Sequence, residues 1–244
     1  MGLKGILFDM GSTLLEFENS TWEVLGQRSA EAGYKFLLEK NQKVPSKDEF
    51  CNVVKSSFIQ ARLEVELDLR EYKYEEVILS IFNKLNLSTE DSLYSQFLEV
   101  YYKPVTVQVT LIEGAKEVLQ FFKDKNIPLG IVSNTVFPKR FHLNELERFG
   151  LLSYFDFEIF SSNFGFRKPH PKIFEMALQK LGLKPEEVVF IGDRLKEDVG
   201  GAKEMGMKGI LKYREGRNYS FPIVPDALVY NLIELKEKVF QIFK

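Results

Sequence analysis

The chain has 244 residues, 33 basic against 35 acidic, a formal charge of −2 at neutral pH, and 45% hydrophobic against 28% charged residues. That balance excludes an electrostatic nucleic-acid binder, and a single cysteine, Cys51, excludes an internal disulfide framework or a cysteine-ligated metal centre. No apolar stretch is long enough to span a bilayer, and Asp9 interrupts the first apolar run too early for a signal peptide, so a cytoplasmic protein with neither a nucleic-acid nor a membrane partner is expected.

Taken in order, the chain begins with Ile6-Leu7-Phe8, a short apolar run broken at once by Asp9-Met10-Gly11-Ser12-Thr13. Such a run fits a strand buried on both faces of a parallel sheet, with Asp9 at its carboxyl end. From Ser20 to about Tyr102 the texture is helical: Phe50, Val53, Val54, Phe58 and Ala61 fall at helical spacing, as do Val77, Ile78, Ile81, Phe82 and Leu85. Ser46 with Glu49 reads as a capping box, and Leu87 to Asp91 as a similar start. No strand alternation interrupts this block, which reads as a small bundle of amphipathic helices.

From Thr110 strands and helices alternate. Helices are expected at 114–125, 138–149, 172–181, 199–205 and 232–243, and strands at 127–132, 157–160, 188–191, 208–211 and 227–230. Alternation of this kind implies parallel pairing by right-handed crossovers. The expected fold class is therefore α/β: a doubly wound parallel sheet, residues 1–18 and 103–244, with a helical-bundle domain, residues 19–102, inserted after the first strand.

Four strand ends carry polar residues: Asp9, Ser133 with Asn134, Ser161, and Asp193. In a doubly wound sheet such ends converge on one crevice. Asp198, five residues after Asp193, either turns back into that crevice or caps a helix. Three facing carboxylates repel unless a cation sits among them, and an all-oxygen set suits a hard ion such as Mg²⁺. Lys168, on a loop ahead of a helix, is placed to bring an ammonium beside Asp9.

Together the segments Phe8-Asp9-Met10-Gly11-Ser12-Thr13-Leu14, Ile131-Val132-Ser133-Asn134, Lys168-Pro169-His170-Pro171 and Ile191-Gly192-Asp193 through Asp198 make the chain resemble the haloacid dehalogenase superfamily over nearly its whole length. The resemblance implies a Rossmann-like core with an α-helical cap that closes over the crevice and sets selectivity. It implies a Mg²⁺-dependent phosphohydrolase for a small phosphorylated metabolite, with Asp9 as nucleophile and an aspartyl-phosphate intermediate. Asp9, the Gly11 carbonyl, Asp193 and Asp198 would hold the ion. Ser133, the Asn134 amide and Thr13 would hold the substrate phosphate, and Lys168 would neutralise developing charge.

The chain departs from the family pattern at Gly11, where phosphatases carry a second Asp that protonates the leaving oxygen. Losing a general acid costs on the order of 10²–10⁴ in rate. The sequence therefore leaves open a substrate whose leaving group needs no acid, a 2-haloacid dehalogenase-type hydrolase, or an impaired member that binds a phosphorylated ligand or a protein. Keeping Asp193 with Asp198, where dehalogenases resemble Ser-Ser-Asn, argues for a retained cation. Elsewhere the plain readings are preferred: His170 for loop geometry, His142 as surface or structural, Cys51 as a small buried hydrophobe, and Tyr94, Phe97, Tyr101 and Tyr102 as helix core. Arg62, Arg70 and Tyr72 of the helical block are read as facing water. The oligomeric state is not written in the sequence.

Overall fold

A computed structural model describes residues 2–244. The chain opens with β1 (Gly5–Phe8), turns, and runs through the short β2 (Leu15–Glu16). Four helices follow: α1 (Trp22–Glu39), α2 (Lys47–Val65), α3 (Tyr74–Lys84) and α4 (Asp91–Thr106). After β3 (Thr110–Leu111) come α5 (Ala115–Asp124), β4 (Leu129–Ser133), α6 (Lys139–Arg148), β5 (Phe157–Phe160), α7 (Ser161–Phe164) and α8 (Pro171–Leu181). The chain ends through β6 (Val188–Gly192), α9 (Gly201–Glu204), β7 (Lys208–Lys212), β8 (Ala227–Val229) and α10 (Leu235–Gln241). Two compact units result: the chain up to Glu16 with Leu111–Lys244, and Phe17–Thr110.

The first unit is built on a six-stranded sheet in the order β5-β4-β1-β6-β7-β8, with every pairing parallel. The strands β1, β4 and β6 are buried along their whole length, as the continuous apolar runs require. Side chains alternate between faces. Leu7 joins Val132, Phe174 and Phe190 in a cluster lined by α8, while Phe8 points the other way, 6.5 Å from Phe122 of α5. The chain goes from β1 to one side for β4 and β5, then crosses to the other for β6 to β8. The order thus reverses around β1, which places the carboxyl ends of β4, β1 and β6 side by side at the crest where such sheets bind ligands.

The second unit is a four-helix assembly with an aromatic centre. Phe97 of α4 meets Phe82 of α3 edge to face at 4.9 Å and Phe36 of α1 at 6.2 Å. Gly33 of α1 lets the Phe97 ring lie against the helix backbone, because a Cβ there would fall 2.7 Å from Phe97 Cε2. Ser46 caps α2, its Oγ accepting from Glu49 N at 3.3 Å.

Several expectations shift by a few residues. The unit boundaries fall at Glu16/Phe17 and Thr110/Leu111 rather than at 18/19 and 102/103. The helix α4 runs on to Thr106 through Pro104 in its last turn, which has no N–H to pair with the carbonyl four residues back. The start expected at Leu87 to Asp91 is not a capping box: Glu90 is the N-cap without a side-chain bond, and Ser88 Oγ instead accepts from Glu90 N. Cys51 is half-buried rather than buried. The stretch expected as one helix from Val199 is a wide π-helical turn, Leu195–Gly200, leading into α9.

Candidate active site

The first unit gathers its polar residues at the crest of the sheet. Asp9 follows β1, Asp193 follows β6, and Asp198 sits in the π-helical turn. Oxygen atoms of the three carboxylates lie within 4.8 Å of one another, and all three residues are buried. The wide turn is what returns Asp198: Arg194 N donates to Asp198 Oδ2 at 2.9 Å, and π turns of this kind recur at functional sites. Gly192 leaves the space that this carboxylate fills, since a Cβ at position 192 would overlap it.

Lys168 comes from the loop before α8 and is fully enclosed. Its Nζ lies 2.8 Å from Asp9 Oδ1, 2.6 Å from Asp198 Oδ1, and donates to the Val132 carbonyl at 2.7 Å. Asn134 fixes the loop that carries it. The Asn134 side chain donates to Lys168 O at 2.9 Å and accepts from Lys168 N at 2.7 Å. Ser133 is buried at the end of β4, and the Thr13 hydroxyl points at Asp9 Oδ2 at 3.5 Å. Asp9, Thr13, Asn134, Lys168, Asp193 and Asp198 are thus linked by these contacts within one unit, with Ser133 next to Asn134 at the end of β4.

Burial works to lower the Lys168 pKa, but Asp198 and Asp9 outweigh it and hold the ammonium above the ordinary lysine range. Burial pushes Asp198 up to about 7, helped by Asp9 and Asp193 against the pull of Lys168. Burial and Asp9 also raise Asp193, against Arg217. Three carboxylates held this close, with Asp193 Oδ1 buried and without a hydrogen-bond partner, fit a hard divalent ion bound through oxygen.

Sequence reasoning missed a second group in the same unit. Arg217 Nε donates to Asp193 Oδ2 at 2.6 Å and its NH2 to Ser12 Oγ at 3.2 Å. Ser12 Oγ in turn donates to Glu16, which also accepts from Arg214, and Lys212 donates to the Ser12 carbonyl at 3.2 Å. Burial lowers the Lys212 pKa. Ser12 itself sits at φ 56°, a strained conformation for a residue with a side chain. The signal was present in the run Lys212-Tyr213-Arg214-Glu215-Gly216-Arg217, basic residues straight after a buried strand at the ligand end of the sheet.

His142 is structural and buried. Its Nε2 lies 2.6 Å from Thr135 Oγ1 and its Nδ1 3.2 Å from Glu145 Oε2, just beyond the Ser133-Asn134 segment. His170 caps α8 by accepting from Lys172 N, a local structural role of the kind expected.

A family model described as haloacid dehalogenase-like hydrolase matches residues 3–206. The chain belongs to the haloacid dehalogenase-like hydrolases. It is 30% identical to a glyceraldehyde 3-phosphate phosphatase of Methanocaldococcus jannaschii, over 97% of each chain, and 27% identical to one of Methanothermobacter thermautotrophicus, over 86% of this chain and 85% of that protein. Among solved structures it is similar to a haloacid dehalogenase-family phosphatase from Thermococcus onnurineus, with TM-score 0.65 and 29% identity, covering 96% of this chain and 97% of that one. A 2-haloacid dehalogenase from Pseudomonas syringae shares the fold, with TM-score 0.73 at 22% identity and 98% and 99% coverage. Membership in this hydrolase family makes the chain an enzyme. Among the described residues no helix is long and apolar enough to cross a membrane.

Proposed function

We propose that this hydrolase is a Mg²⁺-dependent phosphatase of a small phosphorylated sugar, of the size and type of glyceraldehyde 3-phosphate, working through an aspartyl-phosphate on Asp9. The observation that carries the reading is Lys168 set between Asp9 and Asp198, with Asp193 beside them. The similarity to glyceraldehyde 3-phosphate phosphatases along the whole chain supports the substrate class. Three clustered carboxylates argue against metal-free C–halogen cleavage, which has no use for them.

Asp9, Asp193, Asp198 and the Gly11 carbonyl would hold the ion, which when bound supplies positive charge against the phosphoryl oxygens. A carboxylate oxygen of Asp9 attacks phosphorus, the bond from phosphorus to the leaving oxygen breaks, and that oxygen departs with the electron pair and takes up a proton. Water then attacks the phosphorus of the aspartyl-phosphate, which restores Asp9 and releases inorganic phosphate. Lys168 keeps its proton throughout and offsets charge on Asp9 and on the phosphoryl group. Ser133, the Asn134 amide and Thr13 orient that group. Gly11 has no side chain to protonate the leaving oxygen, so the proton comes from water or another residue.

The test is turnover of glyceraldehyde 3-phosphate, acetyl phosphate and p-nitrophenyl phosphate, each with Mg²⁺ and with chelator. Mg²⁺-dependent phosphate release, abolished by Asp9→Asn, is the expected result. A gain on the sugar phosphate alone in Gly11→Asp marks position 11 as the missing acid. Phosphate release unaffected by chelator or by Asp9→Asn overturns the reading.

A further inference from the structure

Arg217 stands where no part of the proposed reaction needs it. Its guanidinium is mostly buried and spans two ligand-bearing segments, Asp193 after β6 and Ser12 in the turn after β1. Ser12 is itself tied down by Glu16 and by Lys212, so Arg217 is anchored on a fixed base rather than swinging from a loop. It engages Oδ2 of Asp193, while Oδ1 is the buried oxygen without a partner. One carboxylate is thus divided between an oxygen held by a permanent protein cation and a buried oxygen without a hydrogen-bond partner.

We propose that Arg217 is a resident cation of the carboxylate cluster: it compensates Asp193 when no divalent ion is bound, and it holds the affinity for that ion down. The inference rests on the cation reading given above. A guanidinium stays charged at every accessible pH, so this positive charge cannot be removed by losing a proton when a metal ion arrives. A metal ion on Oδ1 and the guanidinium on Oδ2 share one carboxylate, and each weakens the hold of the other. With Lys168 already between Asp9 and Asp198, each of the cluster's three carboxylates is ion-paired with a protein cation before any metal binds. The apo protein is thereby spared an uncompensated buried acidic cluster, at the expense of metal affinity. Arg217 is in this sense a positioning residue that acts through Asp193.

Calorimetric titration of Mg²⁺ into metal-free wild type, Arg217→Gln, Arg217→Lys and Asp193→Asn tests the proposal, together with Tm with and without the ion. The expected result is binding about tenfold tighter in Arg217→Gln, with wild-type-like affinity in Arg217→Lys. Metal-free Arg217→Gln melts below wild type and gains more Tm from Mg²⁺, as tighter linkage requires. If Arg217→Gln folds only with Mg²⁺ present, it is titrated with EDTA, and it must then resist more chelator than wild type. Equal or weaker Mg²⁺ binding by folded Arg217→Gln overturns the proposal, since a purely structural arginine would leave the site looser when removed. Loss of binding in Asp193→Asn places the ion at the cluster. Absence of Mg²⁺ binding in both wild type and Arg217→Gln overturns the cation reading and this inference with it.

Discussion

The two units handle charge in opposite ways. Among the described residues, the buried charged side chains, Asp9, Glu145, Lys168, Asp193, Asp198 and Lys212, all belong to the α/β unit. The helical unit buries aromatic and aliphatic groups and leaves its ion pairs in water, as in Lys47–Glu31, Lys55–Glu23 and Lys73–Glu76. Surface pairs of this kind contribute little, and a buried charge is costly unless paired. A fold that accepts this cost for Asp9, Lys168, Asp193 and Asp198 at the ligand end of its sheet, and not in the helical unit, is arranged for chemistry there. The bundle is arranged for packing.

The largest effect that sharpens this contrast is on rate. Asp9→Asn keeps the shape of the side chain and removes the nucleophile, and a loss on the order of 10⁴–10⁶ in kcat is expected. The same substitution leaves the thermal transition of the helical unit where it was. Phe97→Ala is the complementary experiment. It empties the meeting point of Phe36, Phe82 and Tyr101 and is expected to cost about 3–5 kcal/mol, read by denaturant unfolding. Mg²⁺ affinity measured in native buffer stays at the wild-type value. A large fall in metal affinity in Phe97→Ala would break the proposed separation of roles.

A smaller effect follows from titration. The folded-state pKa of Asp198 is raised, to about 7, by burial and by its carboxylate neighbours. Between the ordinary Asp value, about 3.9, and that raised value, the folded protein binds the extra proton and the unfolded chain does not. Stability of the metal-free protein therefore falls as pH rises through this window. Asp198→Asn, which carries no charge, is expected to flatten the slope in urea titrations between pH 4.5 and pH 7. An unchanged slope would mean that Asp198 is charged throughout and that Lys168 outweighs its burial.

The strand ends were legible because a buried strand that stops on Asp, or on Ser-Asn, breaks its own apolar pattern at one definite residue. Asp9, Ser133, Asn134 and Asp193 announce themselves in this way, and Lys168 does so through the loop before Pro169. Asp198 was half legible. Its spacing from Asp193 is visible, but the wide turn that carries its side chain back leaves no periodic trace. The basic run from Lys212 to Arg217 was visible after a buried strand, but not which of its long side chains would reach Ser12 and Asp193 from the end of β7 and the loop that follows. The sequence puts the end of the helical unit near Tyr102, yet α4 continues through Pro104 to Thr106, although a proline there forgoes one helix bond.

The smallest prediction separates local helix energetics from the site most cleanly. Ser46 stands outside α2 in an extended conformation, and its Oγ satisfies the Glu49 amide, one of the donors that the first turn leaves without a partner in the helix. Ser46→Ala removes that acceptor and is expected to cost about 1 kcal/mol, whereas Ser46→Gly costs only a few tenths. Asp48 and Glu49 remain in the first turn and continue to oppose the positive end of the helix dipole, so the helix shortens or frays rather than melts. In a unit the size of this bundle, that energy lowers its transition by roughly 4–8 °C. Because Ser46 belongs to a surface that carries no buried charge, kcat and the Mg²⁺ dependence of turnover at 25 °C should match wild type. A cap substitution that altered the metal dependence would show that the helical unit contributes to holding the ion, and the division between a packing unit and a charge-bearing unit would have to be redrawn.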